Sequence, residues 1–265
     1  VPEQKTFAHS DVIQGSFRAS MDQPRILLLD IETFPDVVYT WGVYEQNAIE
    51  VKEHWFILSY SAKWLGGEHI TKGYWQFRGN GDEGLVKSLW KLVDKCDYLV
   101  AHNGAQFDCK KINTRFLCHG LKPPSPYVLI DTKRHASRLA GFSSNKLDWL
   151  CSQLHLGRKV EHKGFSLWKG CVMGNKSDRR TMLTYNRKDV ILLEKLYLLL
   201  RPWIKTNAGM FTDGTICNAC HSKNLSSDGW RRNATLMYRR VICNDCGHRM
   251  RVPKAEPRNK PLVSI

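Results

Sequence analysis

Residues 25–32, Arg-Ile-Leu-Leu-Leu-Asp-Ile-Glu, set two acids, Asp30 and Glu32, at the end of an apolar run. Alternate side chains of a strand share a face, so both carboxylates emerge together while Leu29 and Ile31 point the other way. Carboxylates that close resist ionising together unless a cation offsets them, which is the setting of a divalent-metal site. For an isolated D-x-E, a strand end that has reached water is the plainer alternative. Two further acids extend the pattern. Asp108 stands at an expected helix start after the strand 98–101, and Asp189 follows Tyr185 by four residues on a long expected helix. Residues i and i+4 share a helix face, so the hydroxyl and the carboxylate can meet at one spot. Met182, Leu192 and Leu193 flank that face, which fits burial against a sheet, and a buried Asp needs a partner.

A second constellation lies near the C-terminus. Cys217, Cys220, Cys243 and Cys246 read C-x2-C-x22-C-x2-C. Two such knuckles resemble a zinc ribbon, in which four thiolates hold one Zn²⁺ tetrahedrally and close its coordination, a structural rather than catalytic role; redox cysteines are the alternative. The intervening 22 residues leave room for a hairpin, and Gly247 suits the turn after the second knuckle. The other five cysteines are scattered, and an odd total without a secretion signal is read as an intracellular, reducing setting.

The chain carries 40 Lys and Arg against 25 Asp and Glu, a formal charge of +15. An excess of this size favours an anionic partner, and the aromatic content makes nucleic acid a better fit than a membrane surface. The most apolar stretch, 189–200, is interrupted by Glu194 and Lys195 and is too short to span a bilayer. From residue 201 onward there are 12 Lys and Arg against 4 Asp and Glu, which is +8 of the +15. Arg231, Arg232, Arg239 and Arg240 interleave there with Trp230 and Tyr238, a mixture suited to phosphate contact with base stacking; a solvated basic face is the plainer reading.

These residues require a scaffold. Residues 1–22 read as a flexible or processed arm. Between Arg25 and Thr71, three apolar or aromatic runs suggest consecutive strands of one sheet. A helix is expected over 84–95, a strand over 97–103, a helix over 107–120 closed by Gly120, and a strand over 127–132. A helix is expected from a cap-like Asn145 to Gly157, and a long one from Ser177 that Pro202 ends. Strands first, then helices alternating with strands, predict an α/β fold with a mixed sheet and helices packed on it. The expected domains are 23–205, a ribbon over 212–252 and a basic tail over 253–265.

In this order, D-x-E at a strand end, N-x-x-x-F-D from Asn103 to Asp108, and Y-x-x-x-D from Tyr185 to Asp189 resemble the three exonuclease motifs of the DEDD superfamily in its tyrosine-containing branch. Their contexts are most similar to the proofreading-type domains related to family B DNA polymerases, over roughly residues 25–200. The resemblance implies a ribonuclease H-like fold and metal-dependent 3′–5′ hydrolysis of single-stranded DNA or DNA 3′ ends. It also implies two Mg²⁺ or Mn²⁺ ions, which suit oxygen ligands where zinc prefers nitrogen or sulfur. By the family pattern Asp30 bridges the ions, Glu32 and Asp189 hold the one that generates the attacking hydroxide, and Asp108 supports the other through water. Tyr185 orients the attacking water. Asn103 either bonds the substrate backbone or caps the next helix, and Phe34 and Phe107 either stack on terminal bases or pack. Asp131 is read first as a helix cap, and His162 and Lys163 as loop residues within reach of phosphate. DNA is favoured over RNA, with a replication or repair protein as a further partner and no membrane. An exoribonuclease, or a binding protein without activity, are the alternative readings.

Overall fold

The computed structural model describes residues 24–44, 47–76, 81–204, 215–232 and 236–257, without the side chains of 232 and 253–257. The expected arm and residues 258–265 of the expected tail lie outside this set. The chain divides into two compact units, one of Pro24–Leu200 and one that takes the described residues from Arg201 onward.

The larger unit is built on a mixed sheet. Strand β4 (Phe56–Trp64) pairs antiparallel with both β1 (Ile26–Phe34) and β5 (Ile70–Tyr74), while β6 (Tyr98–Ala101) runs parallel to β1 and β7 (Val128–Asp131) parallel to β6. The order is β5-β4-β1-β6-β7, which puts β1 in the centre. Its alternation decides the two faces. Leu27, Leu29 and Ile31 point to one side, where they are buried with Leu85, Val86, Leu89 and Val93 of α1 (Glu83–Val93) and Ile112 and Phe116 of α2 (Asp108–Cys118). The other side of β1 carries the acids beneath α6 (Lys176–Leu200), a 25-residue helix. Helices α3 (Thr132–Leu139), α4 (Leu147–Gln153) and α5 (Phe165–Val172) complete the layer.

Two close approaches fix this packing. Asp82 is fully buried and accepts from the Ile57 amide and from Arg115 and His119, tying the start of α1 to β4 and α2. Gly170 of α5 faces Asp178 of α6 so closely that a Cβ there would fall 1.7 Å from a carboxylate oxygen.

Several elements differ from expectation. The run after β1 does not join the main sheet: β2 (Val37–Tyr39) pairs only with β3 (Glu50–Glu53), as a separate two-stranded ribbon. Beyond it Trp41 and Val43 are 90% and 91% exposed, so no core exists to extend the strand. Asn145 does not cap α4, whose N-cap is Lys146. The eight-residue helix α5 interrupts a stretch expected as loop, whereas α3 follows the helix cap expected at Asp131.

The smaller unit holds a three-stranded antiparallel sheet, β8 (Leu225–Arg232), β9 (Leu236–Cys243) and β10 (Arg249–Pro257), ordered β10-β9-β8. Cys217, Ala219, Val241, Cys243 and Met250 are buried together in it.

Candidate active site and metal centres

The C-terminal half of β1 and the middle of α6 meet on one face of the sheet. One carboxylate oxygen each from Asp30, Glu32 and Asp189 lie within 4.8 Å of one another. Asn186, fully buried beside Tyr185, donates its amide to the backbone oxygen of Asp30 at 3.1 Å and to the Asp30 carboxylate, which pins α6 to the strand. Asp108, the first residue of α2, lies outside the 4.8 Å group but accepts from the Ile31 amide at 3.3 Å and is 3% exposed.

Burial and mutual repulsion act on these acids together. Asp30 is held well above the usual carboxylate range, first by burial and then by the charges of Asp189, Glu32 and Asp108. Burial, with Asp189, pushes Glu32 up to about 8, and burial pushes Asp108 up to about 7. Asp189 is raised by burial and restrained by Lys159. All the donors are hard oxygens, the set that suits Mg²⁺ or Mn²⁺, and the crowding is what bound divalent charge would relieve.

Lys159 is a member of this site that the sequence did not disclose. Its Nζ donates to Asp189 Oδ2 at 2.6 Å and to the Tyr185 hydroxyl at 3.1 Å. It sits in an irregular polar loop, where neither spacing nor periodicity singles it out. Asn186 was legible in principle, since Met182, Asn186, Asp189 and Leu193 form one buried stripe at helical spacing. Trp168 of α5 meets the Tyr185 ring edge-on at 6.3 Å and acts to lower the raised pKa of Glu32.

The remaining candidates separate. Asp131 is a helix cap with additional duties: Oδ1 accepts from Lys133 and Arg134 at the start of α3 and from Asn103, while Oδ2 accepts from Ala105. That grip holds Asn103 in the left-handed region, at φ 72°, a conformation that non-glycine residues adopt where the surroundings impose it. The Asn103 side chain accepts from Lys133 Nζ and does not cap α2, whose N-cap is Phe107. His162 packs edge-on against Tyr185 at 4.9 Å. Lys163 instead pairs with Asp178 at 2.9 Å. Phe34 has no open face: it is 8% exposed and stacked between Phe56 at 5.6 Å and Phe165 at 6.1 Å. Phe107 packs with the α1 and α2 side of the core, away from the face that carries the acids.

In the smaller unit the four cysteine sulfurs lie within 4.8 Å of one another, with Cys217 to Cys246 at 3.7 Å and Cys220 to Cys243 at 3.5 Å. A tetrahedron with metal–sulfur bonds of about 2.3 Å has edges of about 3.8 Å, so the residues fit zinc. The basic and aromatic residues of the hairpin do not form one patch. Trp230 lies opposite Arg239 and Arg231 opposite Tyr238, and successive residues of β9 alternate faces. Arg231 and Arg239 are exposed and Trp230 is 44% exposed. Arg240, by contrast, donates to the Asp228 backbone and pairs with its carboxylate, and Arg251 covers the Tyr238 ring at 4.8 Å. The side chain of Arg232 lies outside the described set.

A mixed five-stranded sheet under a long helix, with acids gathered at the end of its central strand, is the architecture of ribonuclease H-like α/β proteins. The sequence matches the RNase_H superfamily over residues 27–201, and the chain belongs to that superfamily. Among solved structures it is similar to the family B DNA polymerase from the hyperthermophilic archaeon Pyrobaculum calidifontis, with a TM-score of 0.52 and 15% identity. The likeness covers 68% of this chain and 25% of the polymerase, so the chain spans a small part of that protein and the likeness is one of fold. No curated protein matches the sequence. The family and the fold support the recognition of a DEDD-type exonuclease domain. No helix among the described residues is long and apolar enough to cross a membrane.

Proposed function

We propose that the chain is a metal-dependent 3′–5′ exonuclease that hydrolyses single-stranded DNA, or DNA 3′ ends, to nucleoside monophosphates. The observation that carries this reading is the convergence of Asp30, Glu32 and Asp189 within 4.8 Å, with Asp108 buried against the same strand. Divalent ions held by these four carboxylates would supply the charge that activates water and offsets the phosphate and the leaving 3′ oxygen. The chain's own groups then have defined tasks. Asn186 fixes the Asp30 carboxylate, so it does not rotate away. The Tyr185 hydroxyl, reached by Lys159, orients the attacking water. Lys159, the cation now facing Asp189, is placed to follow the negative charge as it shifts toward the phosphate.

The ribbon is proposed to hold one structural Zn²⁺ and to offer Trp230, Arg231 and Arg239 to the substrate, which raises its local concentration. The polymerase likeness favours DNA. The deciding experiment is a time course on matched 5′-labelled and 3′-labelled single-stranded DNA and RNA, with Mg²⁺, Mn²⁺ or chelator. A metal-dependent ladder that shortens from the 3′ end of DNA is expected. A faster ladder on RNA would make the enzyme an exoribonuclease, and binding without cleavage of either would overturn the enzymatic reading.

A further inference from the structure

The ribbon of β2 and β3 is the most exposed apolar element among the described residues. Trp41, Val43 and Tyr44 past the end of β2 are 90%, 91% and 84% exposed, and Val38, Tyr39, Ile49 and Val51 are 39% to 52% exposed. The two strands pair with each other and with no other described strand: Val38 faces Val51 and Tyr39 faces Glu50 across the ribbon. A two-stranded hairpin alone is marginal in water, and its outer edges keep unpaired backbone groups.

Charge and area narrow what covers it. Between Asp36 and Glu53 the described charges are Asp36, Glu50 and Glu53 against Lys52, an acidic element in a chain of +15. Phosphate would be repelled there, whereas a second copy of the chain brings a basic surface. An aromatic side chain carries about 150–250 Å², so Trp41, Tyr44 and the open half of Tyr39 leave on the order of 450 Å² of ring surface in water. The exposed valines and Ile49 take the ribbon toward the roughly 800 Å² that each partner buries in a standard interface. The two edges also differ. Strand β3 carries Glu50, Lys52 and Glu53, charges of the kind that guard an edge, while β2 is Val37-Val38-Tyr39 and carries none.

The geometry points to β2 as the seam of a homodimer, in which the β2 edges of two copies pair antiparallel about a two-fold axis at Val38 and the two ribbons become one four-stranded sheet. The hydrophobic pattern sets this register. Residues opposite one another across a ladder share a face, so Val51 and Val38 of one copy line up with Val38 and Val51 of the other in an unbroken valine row. A shift by one residue would set Val38 against Tyr39 and end the row at Glu50. The acidic β3 strands lie at the two outer edges, three strand spacings or about 14 Å apart, beyond the reach of screened repulsion. Antiparallel pairing also sends each tip past Pro35 of the other copy toward its main body, where Trp41, Val43 and Tyr44 lose their exposure.

Sedimentation velocity on the full chain at micromolar concentration tests the seam. Wild type should sediment at twice the chain mass of 30.6 kDa. Tyr39→Lys sets a cation opposite Glu50, which keeps the ribbon itself paired but charges the seam, so this variant should sediment as a monomer, as should Trp41→Ser. A monomeric wild type, or a dimer that both substitutions leave unchanged, would overturn the proposal. Cross-linking reads the register without relying on the folding of either variant. In a Cys118→Ser background, which removes the exposed cysteine, Val38→Cys should form a disulfide-linked dimer with oxidised glutathione, because the two-fold axis brings the introduced thiols together. Lys52→Cys on β3 should not. Equal cross-linking of both, or none of Val38→Cys, overturns the seam. Loss of oligonucleotide affinity in Trp41→Ser without a change in mass would also overturn it and give the ribbon to nucleic acid.

Discussion

Lys159 Nζ lies 2.6 Å from Asp189 Oδ2, so the most buried acid of the candidate centre faces a lysine ammonium rather than water. This ammonium offsets one negative charge at the place where divalent ions would offset several. Lys159→Met should lower the thermal stability of metal-free protein, because Asp189, 1% exposed, is left without its partner. Mn²⁺ should then raise Tm further in the variant than in wild type. Scanning fluorimetry across a Mn²⁺ titration measures this, and equal shifts in both proteins would remove Lys159 from the centre.

The crowded acids predict a pH dependence. Glu32 at about 8 and Asp108 at about 7 stand above their ordinary values of 4.5 and 3.8. Acids with raised folded-state pKa values bind more protons folded than unfolded. Their contribution to stability is therefore present at low pH and lost as pH rises through the folded values. Metal-free protein should lose Tm between about pH 5 and 8 on this account, and Mg²⁺ should restore most at the upper end. Asp30→Asn should flatten the profile and abolish hydrolysis while leaving oligonucleotide affinity close to wild type.

Tyr185→Phe deletes only the hydroxyl that receives the Lys159 hydrogen bond. Turnover should fall on the order of 10²-fold with KM nearly unchanged, the size expected when one proton-handling group is lost. Steady-state kinetics on a single-stranded substrate separates the two constants, and a rise in KM alone would assign Tyr185 to binding.

The ribbon should contain one zinc per chain by elemental analysis, and Cys243→Ser should lose it. Arg231→Ala and Arg239→Ala, both at exposed positions, should each reduce the salt slope of oligonucleotide binding by about 1. Arg240→Ala, which breaks the pairing with Asp228, should leave that slope unchanged and loosen the hairpin instead. Identical slopes in all four proteins would send the ribbon's role elsewhere.

Gly170→Ala should destabilise the protein by about 1–3 kcal/mol, the usual cost of overpacking a close contact. The added carbon would fall on Asp178, which Lys163 already holds. A Tm equal to wild type would mean that α5 can move away from α6 at little cost.

What could be read beforehand divides along physical lines. The strand over 25–32 and the helix ending at Pro202 carry periodicity long enough to be read, and their acids come together because both elements bury one face on the same sheet. The helix α5 was not legible: eight residues containing Gly170 hold too few turns for a 3.6-residue pattern to stand out. The burial of Phe34 was not legible for a related reason. Phe34 is next in alternation after Glu32, yet only the arrival of Phe165 decides which of the two rings meets solvent. Lys159 is likewise defined by a tertiary contact across 30 residues of chain and by nothing local. The ribbon's arginines were identifiable as basic, but their division between free and paired depends on which face of β9 each occupies.

The hydrogen bond from Asn186 to Asp30 joins residues 156 positions apart. Asp189 lies further along still, so three of the four acids emerge from the ribosome well before the fourth. Until the last helix of the larger unit has been synthesised and has closed on the central strand, Asp189 is absent from the pair that Asp30 and Glu32 form on β1, and the candidate metal centre is incomplete. On the exonuclease reading, a nascent chain, or one broken before Asp189, lacks one of the four acids that would hold the metals.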